Sequence, residues 1–445
     1  MAKGLDRFNS FKKSFPGKLE SALRTVDFAD IVLHTDLTHS NSQAIQLTNT
    51  CLKQFQSLNK IKEFGKVTYG SIPVGSAIAN AIVTETGRRE FNYKRDVELL
   101  KLLLTSFFQV YLCAQEEITK MEIDKVLIYN GRFIHERAVW EAAKSLNREV
   151  FLYETLRNRY LLRSGVGFHN RVENQRNMIS LWEEQSKLVD FKTMEALSCK
   201  YFLDLESKKN NFYRLGTSVT LSSPYFVFFS NSDDEAIGFW DSWKETFAEQ
   251  LDFIKQLQSL FELRAQEHLY IRLHPNLSNK PKEEQDKWLE LSNKRYSSII
   301  RQTEDTSSYA LLNGAIGVLT YGSTIGIEAA FRKIPSAVLA DCRYDNLGAV
   351  DKLKSMSEVE KWITNVSNSP VWLNLEYRRA RSLILGYWME KAGNPFVATT
   401  LIERAWGSWE AQSFNGRPLV ESKSQRIYSS LVNRIKRFFL GLNNT

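Results

Sequence analysis

A chain of 445 residues is too long for one ordinary domain and long enough for two, each with a core of its own. At 43% hydrophobic, 12% aromatic and 25% charged residues, with only Cys51, Cys113, Cys199 and Cys342 scattered along it, the chain is neither a disordered tract nor a disulfide scaffold nor a cysteine-held zinc module. A net charge of +8 suits an anionic partner, yet the basic residues are dispersed and form no recognisable nucleic-acid module, so nucleic acid is not expected.

The start of the chain carries Lys3, Arg7, Lys12, Lys13 and Lys18 without the apolar block of a secretory signal, and a cytoplasmic protein is expected. Strands are expected at 29–36, 66–72, 125–130 and 149–154, separated by helical patterns near 74–85, 95–119 and 135–147. The segment Leu99 to Cys113, broken by Lys101 and Gln109, is shorter than the ~18 apolar residues of a spanning helix and reads as a core helix. Residues 170–210 pattern as helices. From Tyr225 the alternation sharpens: apolar runs at 225–231, 268–275, 297–302, 316–322 and 334–341 are spaced by helical stretches near 239–266, 282–292, 305–315 and 323–333. Later segments at 377–391 and 398–412 look helical, and residues 427–442 place apolar side chains at helical spacing beside Arg426, Arg434, Lys436 and Arg437. That tail suits the inner face of a membrane or a groove on a partner helix, and the sequence leaves both open.

This pattern is an α/β chain of two Rossmann-like domains facing a cleft. An acceptor domain is expected over 1–215, a donor domain over 216–395, and C-terminal helices with a basic amphipathic tail over 396–445.

Ligands of open α/β sheets sit beyond the carboxyl ends of the strands. In Tyr270-Ile271-Arg272-Leu273-His274-Pro275, alternation puts Arg272 and His274 on one face of a strand that Pro275 ends. A buried guanidinium needs an anion or a dense set of acceptors. His274 at the rim is placed to reach a ligand oxygen or to cap a nearby loop. The second marked end runs Thr320-Tyr321-Gly322-Ser323-Thr324-Ile325-Gly326-Ile327-Glu328, where a strand passes through glycine and hydroxyl residues straight into a helix. Such an entrance points free N–H groups and the positive helix end outward, an anion site. Glu328, one turn in, is either a ribose acceptor or a helix-face charge. Asp233 and Asp234 follow the first strand of this half and read as helix-start charges rather than metal ligands.

Ile271-Arg272-Leu273-His274-Pro275, with Gly322-Ser323-Thr324 and Glu328-Ala329-Ala330 about fifty residues on and Pro335 beyond, resembles the bacterial capsular polysaccharide synthesis family, which includes Kdo transferases. The His-Pro and serine motifs are also similar to those of bacterial sialyl- and polysialyltransferases. The resemblance covers residues 225–341 and only thinly the first half. It implies a GT-B fold, a CMP-sugar donor, no metal and no cofactor, the nucleotide-sugar being a substrate. It also implies a saccharide or lipid-linked saccharide acceptor. His274, Pro275, Ser323 and Thr324 would hold the donor, with Tyr321 and Gly322 in the same turn and Arg272 and Glu328 in support. Ser230 and Ser232, in a loop that also resembles the family, would lie near the diphosphate or sugar.

A transferase also needs a base, expected from the first half. Glu154 and Glu136 are the leading candidates and Asp36 the third, with His274 acting at the leaving group. Arg132 would meet an acidic acceptor or a donor carboxylate, with Asn130 in the same turn and Arg157 in a basic aromatic segment fit for an anionic saccharide acceptor. Glu136 at a helix start is also favourable for dipole reasons alone, and Arg137 is placed to neutralise Glu154. Rival readings are a nucleotide-sugar epimerase, a polyol-phosphate transferase and a non-catalytic nucleotide-binding scaffold of a polysaccharide assembly.

Overall fold

The computed structural model describes residues 41–88, 90–156, 159–168, 170–213, 221, 224–231, 250–304, 306–368, 374–395, 399–405, 408–414 and 417–418. The strand expected at 29–36, Asp36, Arg157, Ser232, Asp233, Asp234 and the tail at 427–442 lie outside the described residues. Two compact units are present. The larger falls within 36–156 and 161–393, and the described part of the smaller is Arg159, Tyr160 and the strands after residue 393.

The larger unit begins with helices α1 (Asn41–Phe55), α2 (Val74–Thr86) and α3 (Tyr93–Lys120). Leu100, Leu104, Phe107 and Tyr111 recur every three to four residues on α3, and that stripe is buried with Phe55, Phe64 and Ile78 in one cluster. By length and composition α3 is the one helix among the described residues apolar enough to cross a membrane, and this stripe packs inside the protein. The strand expected at 66–72 is instead a 3₁₀ turn (Ile61–Lys66) and a tight loop. Tyr69 and Ile72 exchange backbone hydrogen bonds of 2.9 and 3.0 Å around Gly70, whose φ of +58° closes the loop, while Val67 and Ile72 bury against the helices.

The first sheet follows. Strands β1 (Lys125–Tyr129) and β2 (Glu149–Leu156) pair in parallel across helix α4 (Ile134–Ser145), and β3 (Arg159–Ser164) comes next in sheet order. Ile128 and Leu152 pack on Trp140 and Ala143 of α4. Helices α5 (Arg171–Gln185) and α6 (Phe191–Tyr213) share a core with the second sheet, where Met178 and Phe202 meet Ile327 and Val338.

The second sheet holds β4 (Tyr225–Phe229), β5 (His268–Arg272), β6 (Ser297–Ile300), β7 (Ala315–Thr320), β8 (Ser336–Val338) and β9 (Asp351–Lys352). Their spatial order is β6-β5-β4-β7-β8-β9 and every pair is parallel. Numbered within the sheet this is 3-2-1-4-5-6, the doubly wound Rossmann order. Helices α7 (Gln250–Arg264), α8 (Lys282–Leu289), α9 (Ser308–Leu312) and α10 (Ile325–Phe331) lie between strands, and α11 (Met356–Asn368) and α12 (Leu375–Lys391) follow β9. Strand β4 is apolar throughout because both its faces are covered. Phe226 and Phe228 meet Phe253, Phe261 and Trp362 on one side, while Val227 and Phe229 meet Tyr309, Ile325 and Ala329 on the other.

In the smaller unit β10 (Asn394–Pro395) pairs antiparallel with Tyr160 and Arg159. The helix expected at 398–412 is instead an antiparallel pair, β11 (Thr399–Ala405) and β12 (Ser408–Phe414), with β13 (Arg417–Pro418) beside β12. Thr399, Thr400 and Ile402 are β-branched and favour an extended chain, and Gly407 supplies a turn signal between the two runs.

Candidate functional site

Strand β4 is flanked by β5 and β7, and Phe229 is in register with both Arg272 and Thr320. With ~4.8 Å between neighbouring strands, the three carboxyl ends lie within about 10 Å of one another. They sit where the sheet order reverses, at the crevice in which doubly wound sheets bind their ligands.

Ser230 leaves β4 buried, and its N–H donates to the Arg272 carbonyl at 3.1 Å. Its Oγ accepts from the His274 N–H at 2.8 Å, so one hydroxyl fixes where the His-Pro turn begins. Pro275 opens a 3₁₀ turn (Pro275–Asn279), and His274 Nδ1 accepts from the Asn276 N–H at 3.2 Å. The neutral ring therefore carries its proton on Nε2. This half-buried imidazole caps its own turn.

At the end of β7, the Ser323 N–H donates to Thr320 Oγ1 at 3.2 Å, and the Tyr344 hydroxyl donates to the Ser323 carbonyl. Gly322 has φ +103°, and a Cβ there would stand 3.0 Å from Cys342 Cβ, so the turn requires glycine. Thr324 precedes α10 in helical geometry and makes no side-chain capping bond. Its hydroxyl is exposed, and the N–H groups of Thr324 and Ile325 carry no hydrogen bond among the described residues. This edge is chemically suited to a phosphate.

Three expected donor ligands have side-chain partners inside the protein. Arg272 is 4% exposed and donates to the backbone carbonyls of Arg301 and Glu304, the second at 3.2 Å. The Tyr321 ring lies in the core, 5.8 Å from Phe253 and 6.4 Å from Phe228 between centroids. Glu328 is buried on α10 and accepts a hydrogen bond from the Tyr309 hydroxyl. Burial, reinforced by Glu328, holds the Tyr309 phenol protonated far above the ordinary tyrosine range. Tyr309→Phe removes one donor from a buried carboxylate, and urea denaturation should show a loss of about 1–3 kcal/mol. A loss of nucleotide affinity without loss of stability would contradict this reading.

On the first sheet, Tyr129 and Tyr153 face each other in register with rings 5.3 Å apart. Asn130 (φ +54°) and Gly131 (φ +72°) turn the chain after β1, and a Cβ on Gly131 would meet the Trp140 ring at 2.9 Å. Glu154 accepts from Tyr129 Oη at 3.0 Å, from Asn130 Nδ2 and from the Thr155 N–H at 3.0 Å, so both its oxygens are engaged. Burial first, then Glu154, pushes Tyr129 up to about 12. Glu136 occupies the first turn of α4, half buried, with no hydrogen bond or ion pair among the described residues. The Tyr153 phenol is raised by burial and then by the charges of Glu136 and Glu154. Arg137 does not pair with Glu154. It binds Glu141 at 2.8 Å and lies over the Trp140 ring at 4.5 Å, while Arg132 lies over Phe133 at 5.2 Å. Among the described residues no three His, Cys, Asp or Glu side chains group as metal ligands.

The sequence reading missed the loop after β8. Arg171 Nη1 binds Asp345 at 2.9 and 3.1 Å, Lys352 Nζ binds Asp341 and reaches Asp345 at 2.7 Å, and Gln175 donates to the Cys342 carbonyl at 3.0 Å. The available signal was Asp341-Cys342-Arg343-Tyr344-Asp345, two acids bracketing a polar run after a strand.

No family model matches the chain, and no curated protein matches it. Among solved structures it is similar to the Thermosulfurimonas dismutans KpsC beta Kdo 2,7 transferase, at 13% identity and TM-score 0.37, over 72% of this chain and 88% of that one. The beta Kdo 2,4 transferase of the same KpsC matches at 11% identity and TM-score 0.34, over 57% and 86%. A Methanocaldococcus jannaschii UDP-GlcNAc 2-epimerase solved with UDP-GlcNAc and UDP matches at 13% identity and TM-score 0.32, over 60% and 75%.

Proposed function

We propose that the chain is a glycosyltransferase that moves a sugar from a nucleotide-activated donor to a saccharide acceptor of a surface or capsular polymer. The observation that carries this reading is the convergence of the Ser230-fixed His274 turn and the Gly322-Ser323-Thr324 helix entrance on the ends of the two strands that flank β4, at the switch point. In this reading the nucleotide phosphate leaves into that rim, where His274 Nε2–H, the Ser323 and Thr324 hydroxyls and free amides meet its growing negative charge. The acceptor hydroxyl gives its proton to Glu136, its oxygen forms the new bond to the anomeric carbon, and the bond to the phosphate oxygen breaks. No metal or cofactor takes part. The donor is a CMP-sugar by resemblance of the His-Pro and serine motifs, and a lipid-linked acceptor would bring the basic tail to the inner membrane face.

Thermal shift with CMP, CDP, UDP and GDP tests the nucleotide site, since a ligand that binds the folded state raises the melting temperature. One of the four should stabilise the wild type, and His274→Ala should abolish the shift. An unchanged shift in that variant removes His274 from the site. Turnover of labelled CMP-sugar separates the rivals: released CMP with a longer acceptor supports transfer, an epimerised nucleotide-sugar without acceptor supports isomerisation, and binding without release supports a scaffold.

A further inference from the structure

The Gly322-Ser323-Thr324 turn is shaped from the core side by the loop that follows β8. A Cβ on Gly322 would meet Cys342 Cβ at 3.0 Å and the Asp341 carbonyl oxygen at 3.5 Å, so the start of that loop lies directly against the turn. Tyr344, 2% exposed, brings its hydroxyl up to the first turn of α10, where Gly326 leaves the room for it. A Cβ on Gly326 would stand 2.7 Å from that oxygen and 2.9 Å from Thr320 Cγ2, well inside the contact distance of packed atoms.

The loop is itself held from α5. Gln175, buried, donates to the Cys342 carbonyl at 3.0 Å and to the Asp345 carboxylate, and its own carbonyl oxygen accepts from Asn346 Nδ2 at 3.1 Å. One side chain therefore grips the loop on both sides of Tyr344. Burial pushes the Tyr344 phenol well above the usual tyrosine range, so the hydroxyl keeps its proton and donates it to the Ser323 carbonyl. The same carbonyl accepts from the Gly326 N–H at 3.0 Å.

Peptide geometry converts this inward bond into an outward one. In a planar trans peptide the carbonyl oxygen and the following N–H point in opposite directions. With the Ser323 carbonyl drawn to a buried hydroxyl, the Thr324 N–H is turned away from the core, and Thr324 itself is exposed. Without that hydroxyl the Ser323–Thr324 peptide keeps the Gly326 N–H as its anchor and gains freedom to rotate. We propose that Tyr344 is a positioning residue for the nucleotide phosphate, aiming the Thr324 amide at the rim by fixing the Ser323 carbonyl behind it. The proposal rests on the transferase reading for its ligand, whereas the hold of Tyr344 on the turn is independent of it.

The test uses the full chain, Tyr344→Phe, and Tyr225→Phe as the control. The Tyr225 hydroxyl also serves backbone carbonyls, those of Leu311 at 3.2 Å and Asn313 at 2.6 Å, but at the opposite end of β4. Isothermal titration with whichever of CMP, CDP, UDP and GDP stabilises the wild type should show binding weakened about tenfold or more in Tyr344→Phe, in line with a misaimed charge-assisted contact, and unchanged in Tyr225→Phe. Gly326→Ala should weaken binding too, and by a smaller factor in a Tyr344→Phe background, where the oxygen it displaces is already gone. Hydrogen exchange of the free protein, read on the segment 320–328, should quicken about tenfold in Tyr344→Phe and stay at the wild-type rate in Tyr225→Phe. Wild-type affinity in Tyr344→Phe, or equal weakening in the two tyrosine variants, overturns the proposal. If the wild type binds none of the four nucleotides, the donor reading fails, and unchanged exchange in Tyr344→Phe would then remove its hold on the turn as well.

Discussion

Glu136→Gln is expected to lower turnover by about a hundredfold to ten-thousandfold, the usual contribution of a positioned base, with nucleotide affinity unchanged. The substitution keeps shape and removes only the ability to accept a proton. Glu136 is on the first turn of α4, outside the three strand ends of the proposed phosphate rim, so nucleotide binding has no reason to change. Glu154 behaves differently because Tyr129, Asn130 and the Thr155 N–H already donate to it. Glu154→Gln puts an NH2 against one of those donors, and the expected loss is about 1–3 kcal/mol of stability. Its effect on turnover should follow the disturbed Tyr129–Asn130 turn. Rates and denaturation curves for both variants decide the matter: if Glu154→Gln abolishes turnover in a stable protein while Glu136→Gln keeps it, the base has been assigned to the wrong carboxylate.

Five strands of the second sheet were legible because apolar runs such as Tyr225–Phe229 alternate with helical stretches, whereas β9 (Asp351–Lys352) has no apolar residue and gave no signal, so the strands were expected to stop after Asp341. The strand ends were legible for the same reason, since Ser230, His274 and Ser323 interrupt those runs. What side chains do at those ends was not. The one-dimensional pattern does not show that Arg272 also holds the carbonyls of Arg301 and Glu304, or that Glu328 accepts from the hydroxyl of Tyr309, because other crossovers bring those partners in. Local pattern also failed where the apolar run was brief. Val67 and Ile72 alternate like strand residues and are buried by helices instead, and the run from Thr399 reads as helix by its apolar spacing until β-branching and the pairing partner are considered. The loop that holds the Gly322–Ser323 turn escaped because its meaning lies in contacts from α5, far away in sequence.

That loop carries the largest expected loss of stability. Asp345 is fully buried and accepts from Arg171, Gln175 and Lys352 at once. Asp345→Ala leaves two cations sharing Asp341 alone, and breaking a buried ion network from one side costs about 3–5 kcal/mol. Nucleotide affinity should fall with it, because the same loop carries Tyr344, whose hydroxyl holds the Ser323 carbonyl. Alkaline titration separates the ionic part. Burial alone would lower Lys352, but the bonds to Asp341 and Asp345 outweigh it and raise the amine above its ordinary value of 10.5. A proton held more tightly in the folded state stabilises fully below that ordinary value and is lost as pH rises through the folded one. The wild type should therefore lose stability above about pH 10.5, the unperturbed lysine range, and Asp345→Ala should show a shallower alkaline decline from a lower starting point. Parallel declines in the two proteins would mean that Lys352 takes its elevated proton affinity from Asp341 alone, and that Asp345 acts through Arg171 and Gln175 as a clamp on the helix.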